Sequence, residues 1–226
     1  MMSSDIARNY GEKSREAPPV EFDGQRYRQT SAHQKEWGSR LISELALCGD
    51  ESILDIGCGD GVLTAQLADR VPQGQVTGID ASAGMIATAR TNNRPNLSFV
   101  RLDISDADYS EDFNVVFSNA TLHWIKDHAK LLRILHRSLK DSGILRVNFA
   151  ADGNCQAWFR VARELMNSDE FRDAFAGFQW PWFMPAVDEY QRILGDNKTM
   201  LLLSTHREMF DALFQPPKPM KPENKE

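Results

Sequence analysis

The sequence predicts an α/β domain built on a doubly wound, mostly parallel sheet with helices on both faces. Three observations lead there. Short apolar, β-branched runs alternate with amphipathic helical runs. One of the short runs, Val115-Val116-Phe117, is apolar without a break, as a strand covered on both faces must be. A glycine-rich turn joins the first short run to the helical run that follows it.

Taken in order, the short runs place strands at Ser52–Ile56, Gln75–Ile79, Leu97–Leu102, Phe113–Phe117 and Ile144–Phe149. Helices are expected at Val62–Arg70, Ala83–Thr91 and Asp127–Leu139, with an earlier one at about Ser31–Leu47. In the helix at Asp127–Leu139, Leu131, Ile134, Leu135, Ser138 and Leu139 form one stripe at i, i+3, i+4, i+7 and i+8. Strand and helix in strict alternation imply right-handed crossovers. In such sheets ligands sit beyond the carboxyl ends of the strands, where strand order reverses. The residues just after each strand are therefore the ones to read for function.

Composition limits the classes of function. The chain has 226 residues, 42% hydrophobic and 26% charged, the proportions of a soluble globular domain. No apolar run approaches the ~20 residues that span a bilayer, and Met1–Tyr10 is too polar for a signal peptide, which argues against export and membrane insertion. Acidic residues outnumber basic ones 32 to 26, so a nucleic-acid binder would need a strong local basic patch. The densest basic run, Lys126–Lys140, has helical spacing interrupted by apolar residues and reads as a solvated helix face. No nucleic acid is expected. Cys48, Cys58 and Cys155 are odd in number and lack a CxxC spacing, which points away from disulfides and zinc and toward a reducing cytoplasm. No metal site is expected. Residues 1–20 are polar, end in Pro18-Pro19 and read as a mobile arm. Residues 215–226 carry four prolines in twelve and read as a disordered Pro/Lys tail.

The first strand runs into Leu54-Asp55-Ile56-Gly57-Cys58-Gly59-Asp60-Gly61. Glycines here bring backbone N–H groups close to a ligand at a helix N-terminus. The nicotinamide pattern GxGxxG would place its third glycine where Val62 stands, so the spacing points away from NAD. Asp55 sits two residues before the first glycine, where a carboxylate would crowd a pyrophosphate and suits a ligand ammonium, reached directly or through water. The second strand ends at Asp80, which either accepts bonds from ribose hydroxyls or caps the following helix. Met85, one turn on, either packs on an adenine face or is plain core. After the third strand, Asp103 suits an adenine amine and the Ile104 backbone a ring nitrogen; the alternative for Asp103 is a solvated loop acid.

The fourth strand ends in Ser118-Asn119-Ala120-Thr121-Leu122-His123-Trp124. With the glycine loop, Gly-Ile-Asp-Ala-Ser-Ala-Gly-Met and Arg-Leu-Asp-Ile, these residues resemble the class I S-adenosylmethionine-dependent methyltransferases. The similarity is greatest to the small-molecule branch that includes trans-aconitate and malonyl-carrier-protein methyltransferases, and runs from about Tyr27 to Tyr190. The resemblance implies a Rossmann-like methyltransferase domain over 21–214, with a lid or cover segment at about 155–195 and S-adenosylmethionine as cofactor. It places Gly57, Gly59 and Gly61 under the methionine portion with Asp55 nearby, and Asp80 on the ribose. Met85 and Ile104 would sandwich the adenine, Asp103 would bind its amine, and Asn119 would meet the methionine end. His123 and Trp124 would wall the space into which the methyl leaves. Tyr27, Ser31, Gln34 and Trp37 would lie in an N-terminal helix over the cofactor. The family finishes its sheet with a strand hairpin after Tyr190. Here Met200–Ser204 offers one strand and nothing to pair with it, so the C-terminal hairpin is expected to be incomplete or shortened.

The chemistry so implied is in-line transfer to a small-molecule acceptor, in which alignment does most of the work. His123 could serve as a base, orient the acceptor or pack beside Trp124. An ionised carboxylate acceptor needs no base but a cation, for which Arg146 and Arg160 are candidates, and Asn148 could add a polar contact. The aromatics between Phe171 and Pro185 form either an acceptor pocket or a satellite core. Two readings compete: a non-catalytic or diverged S-adenosylmethionine-binding protein acting through a partner, and a nicotinamide-dependent oxidoreductase. The sequence leaves room for a protein partner without indicating one.

Overall fold

Successive side chains of a strand point to opposite faces, and strand β1 (Ser52–Ile56) divides its apolar residues accordingly. Leu54 and Ile56 enter one core with Ile79, Val116, Leu122, Leu135 and Leu145. Ile53 enters the other with Leu41, Leu67, Val71, Val76, Val115 and Phe117. Both faces are thus covered, as the unbroken run 115–117 requires. The computed structural model describes residues 21–196. The expected arm (1–20), the strand at Met200–Ser204 and the tail (215–226) lie outside the described residues.

The remaining strands are β2 (Gln75–Asp80), β3 (Leu97–Arg101), β4 (Phe113–Asn119) and β5 (Leu139–Asn148). They pair in the order β3-β2-β1-β4-β5, every pair parallel. The crossover helices are α3 (Val62–Arg70), α4 (Ala83–Ala89) and α5 (His128–Ser138). Helices α1 (Gly24–Thr30) and α2 (Ala32–Ser43) precede the sheet; α6 (Gln156–Met166) and α7 (Val187–Asp196) follow it. Strand order reverses between β1 and β4, so the crevice expected of a doubly wound sheet opens between Gly57 and Ala120. The Rossmann-like expectation is met.

Two elements differ from the sequence expectation. The helix read at Ser31–Leu47 is a pair of helices that turn at Ser31 and begin seven residues earlier, at Gly24. Asp23 caps α1, its carboxylate accepting from the Gln25 and Arg26 N–H groups at 3.0 and 3.1 Å. Tertiary packing also fixes this start, since a Cβ at Gly24 would lie 2.3 Å from Thr88 Oγ1 in α4. The fifth strand begins at Leu139, not Ile144, because the chain leaves α5 already paired to Phe113. A register shift between Phe113 and Val115 absorbs the extra length, with Ser142 at φ 62°. The basic run is a solvated face: α5 buries Leu131, Leu132, Ile134 and Leu135 and exposes Lys130, Arg133, His136 and Arg137. Among the described residues no helix is long and apolar enough to cross a membrane.

Candidate functional site

The glycine-rich loop leaves β1 through three left-handed residues, Gly57, Gly59 and Gly61, at φ 67°, 55° and 77°. The N–H groups of Gly57 and Cys58 both donate to the Ile79 carbonyl, which ties the loop to the end of β2. Across the crevice, the Thr121 hydroxyl donates to the Gly57 carbonyl at 3.2 Å. Gly61 is the residue before α3, and Val62 is its first helical residue. The position that a nicotinamide loop would give to a third glycine is therefore part of a helix.

Three carboxylates converge on this loop. Asp55 is 2% exposed and accepts a 2.7 Å bond from the Thr64 hydroxyl on α3. Burial pushes it up to about 7; the Thr64 bond opposes that shift and the Asp80 charge adds to it. Asp80 accepts from the Gly59 N–H at 3.1 Å and from the Ser82 N–H at 2.9 Å, and burial raises it as well. The capping alternative for Asp80 is not what the structure shows: Ser82 caps α4, its hydroxyl accepting from the Met85 N–H. Asp60 is the third, 3% exposed. The Tyr27 ring lies 3.4 Å from where a Gly59 Cβ would stand, and its hydroxyl is pushed up to about 12 by burial and by the charges of Asp60, Asp80 and Asp55.

The other expected residues fall at the carboxyl ends of the strands, with different partners. Met85 and Ile104 are each 5% exposed, and Ile104 packs into the core beneath β2 and β4. Asp103 is exposed and accepts from the Ser105 N–H, which caps a single 3-10 turn. Asn119 does not leave its amide open: it donates to the Gln34 carbonyl at 2.9 Å and accepts from Asn148 at 3.2 Å. Gln34 thus contributes its backbone here, and Asn148 serves Asn119. Trp37 is half-buried on α2. Arg146 is corrected as an acceptor cation: it is 7% exposed and ion-paired to Glu44 just after α2. Arg160 is exposed on α6.

His123 and Trp124 lie on a 3-10 turn after β4 (Leu122–Trp124). The Ala150 N–H points at His123 Nδ1 at 3.4 Å. A backbone N–H can only donate, so the neutral ring carries its proton on Nε2. Burial, with the neighbouring His128 ring, holds His123 down at about 4. We expect its imidazole 15N signals to stay those of the neutral Nε2–H tautomer from pH 8 to pH 5. An inflection near 6.5 would contradict this environment. Because the folded value is depressed, this group's contribution to stability is present above 6.5 and is lost as pH falls toward 4.

Trp124 meets Phe22 and Trp182 edge-on, each at 5.6 Å. The two readings of the aromatic segment divide by residue. Phe183 belongs to a core, its ring 4.6 Å from that of His128 and its N–H bonded to the His123 carbonyl. Trp182 joins Trp124, whereas Phe171, Phe175 and Phe178 are exposed. Sequence reasoning missed the buried His128, whose ring bonds Tyr190 Oη and the Leu122 carbonyl, each at 3.0 Å, and anchors this turn. It also passed over Asp60, although the motif containing it was read. The only available signal was a charged residue between two loop glycines.

Residues 53–143 match the methyltransferase domain family. The chain is 40% identical over 126 residues to trans-aconitate 2-methyltransferase of Deinococcus radiodurans, covering 56% of this chain and 47% of that one. It is 40% identical over 115 residues to malonyl-[acyl-carrier protein] O-methyltransferase of Acetivibrio thermocellus, covering 50% and 41%. The alignments thus span less than half the length of these two relatives. Phosphoethanolamine N-methyltransferase 2 of Haemonchus contortus, solved with S-adenosyl-L-methionine, superimposes with a TM-score of 0.56 at 21% identity over 72% of this chain and 36% of that one. The fold is that of the class I methyltransferases, and residues 53–143 match a methyltransferase domain. More particularly, the matched region is similar to S-adenosylmethionine-dependent methyltransferases, the trans-aconitate and malonyl-carrier-protein enzymes among them.

The residues present fit that cofactor. Its ammonium and sulfonium groups are cations, and two carboxylates beside the loop, Asp55 and Asp80, are raised by burial with no cation among the causes of their shifts. Its ribose needs an acceptor at the end of β2, where Asp80 stands with both oxygens already oriented by N–H groups.

Proposed function

We propose that this protein transfers a methyl group from S-adenosylmethionine to a small-molecule acceptor, most favourably to a carboxylate oxygen. The observation that carries this reading is the pair of buried Asp55 and half-buried Asp80 flanking a loop of three left-handed glycines at the topological switch point. Bound S-adenosylmethionine supplies an electrophilic methyl carbon on a sulfonium leaving group. Asp80 accepts from the ribose hydroxyls, and Asp55 faces the ammonium directly or through water. Met85 and Ile104 would hold the adenine between them, and Asp103 would accept from its amine. Asn119, tied to Gln34, closes the methionine end, and Trp37 covers from α2. His123 and Trp124 line the acceptor side. Neutral His123, with its proton on Nε2, orients an acceptor oxygen and does not take a proton. A carboxylate acceptor suits that arrangement, because it is already ionised and no proton would have to be removed by His123 for it to take a methyl group. With Arg146 paired to Glu44, Arg160 is the remaining candidate of the two cations for such an acceptor. A cytoplasmic setting, with no nucleic-acid partner, is part of the same reading.

Calorimetry with S-adenosylmethionine and S-adenosylhomocysteine, with NAD as control, tests it. Micromolar binding to both is expected, and none to NAD. Asp80→Ala should lose about 1.5–3 kcal/mol, roughly ten- to a hundredfold in affinity, with its charge-assisted ribose bonds. Folded wild-type protein that binds neither would refute the reading. Binding without methylation of any carboxylate would favour a binding protein that works through a partner.

A further inference from the structure

The carboxylate of Asp60 has a role that the glycine motif does not explain. It is 3% exposed, inside the loop, and faces two cations from the N-terminal helices. Lys35 Nζ lies 2.7 Å and Arg28 Nε 3.5 Å from its Oδ2. The contacts are ion pairs without directed hydrogen bonds, since Oδ2 and Arg28 Nε both lack a hydrogen-bond partner. Three further bonds surround the pair. Arg28 Nη2 donates to the Asp60 carbonyl at 3.0 Å, Asn92 Nδ2 donates to the same carbonyl at 2.8 Å, and Lys35 Nζ donates to the Arg28 carbonyl at 2.8 Å. One residue of the loop therefore ties together α1, α2 and the turn that follows α4.

We propose that Asp60, through Lys35 and Arg28, is a positioning residue that holds the α1–α2 pair down over the glycine-rich loop and thereby sets how long the cofactor stays bound. It acts through other groups. With the pair seated, the Tyr27 ring lies against Gly59 and the Gln34 carbonyl receives the Asn119 amide. With the pair released, both contacts are lost, and the loop opens to solvent on the side facing the N-terminal helices. A buried charge that loses its partner is left uncompensated, so removal of either cation bears on the whole cluster. This inference rests on the proposal that S-adenosylmethionine binds at that loop.

Two measurements test it separately. The first is amide exchange in the ligand-free protein, compared between wild type, Lys35→Met, Lys35→Arg and Asp60→Asn. Lys35→Met should speed exchange in α1 and α2 and leave the amides of β1 and β4 unchanged, while Lys35→Arg should resemble wild type. The second is stopped-flow dissociation of S-adenosylhomocysteine, expected to be roughly tenfold faster in Lys35→Met with little change in association. Rescue by Lys35→Arg separates a charge role from loss of packing. If Asp60→Asn fails to fold, the lysine pair still decides. Unchanged exchange in α1 and α2 would overturn the anchoring. Faster exchange with an unchanged dissociation rate would overturn the link to the cofactor. If wild-type protein fails to bind S-adenosylhomocysteine, the methyltransferase reading falls with that link, and the exchange data alone decide whether Asp60 anchors the helices.

Discussion

Gly57→Ala should destabilise the protein by about 2–4 kcal/mol and abolish measurable cofactor binding. Two costs add. Gly57 stands at φ 67°, where an L side chain is strained by roughly 1–2 kcal/mol. Its new Cβ would also lie 2.1 Å from Thr121 Cγ2, 2.3 Å from Oγ1 and 2.6 Å from Cβ. Thr121 has little room to withdraw, because its hydroxyl is bonded to the Gly57 and Asn119 carbonyls. Thermal unfolding should show a fall of roughly 5–15 °C in Tm. The double variant Gly57→Ala/Thr121→Gly should recover part of the loss, since it removes the clash and leaves the backbone strain. A single variant within about 0.5 kcal/mol of wild type would mean that the two sides of the crevice are not in contact as described.

Asp55→Asn should move stability and binding in opposite directions. In the ligand-free protein burial holds Asp55 at about 7, above its ordinary value of 3.8. The folded state therefore keeps a proton that the unfolded chain gives up, and this group's contribution to stability falls as pH rises from about 4 to about 7. The cost above pH 7 is at most about 4 kcal/mol for a shift of that size in a fully buried group. Asn keeps the shape, accepts the Thr64 bond and carries no charge. The variant should thus be more stable than wild type at pH 8 and lose most of that advantage near pH 5, as denaturant midpoints would show. Binding should respond the other way. A cationic ligand prefers the ionised carboxylate, so wild-type affinity for S-adenosylmethionine should fall as pH drops below 7, and Asp55→Asn should bind weakly at every pH. Equal affinity in the two proteins at pH 8 would show that Asp55 does not meet a cation.

Much of the architecture was legible because its signals are local. Ile53 and Leu54 belong to different cores because adjacent strand residues point opposite ways, and an unbroken apolar run such as 115–117 has only one architecture that buries it. The glycine loop was legible for the same reason, since left-handed backbone at a strand-to-helix turn selects glycine. The start of α1 was readable in Asp23-Gly24 but hidden by weak periodicity over seven residues. The early start of β5 was not readable, because a helix passing directly into a bulged strand shows neither period cleanly.

The sequence alone determined the class of fold, the crevice at the strand ends and the acidic residues beside it, all of which depend on period and spacing over short stretches. Only the tertiary structure decided which groups those residues meet. Arg146 is taken by Glu44, 102 positions away, and Asn119 by Gln34, 85 positions away. The tautomer of His123 follows from the N–H of Ala150, and Asp60 gains its meaning from two cations of the N-terminal helices. Such pairings arise where elements distant in the chain pack together, and their geometry is set by the whole core and not by any local pattern.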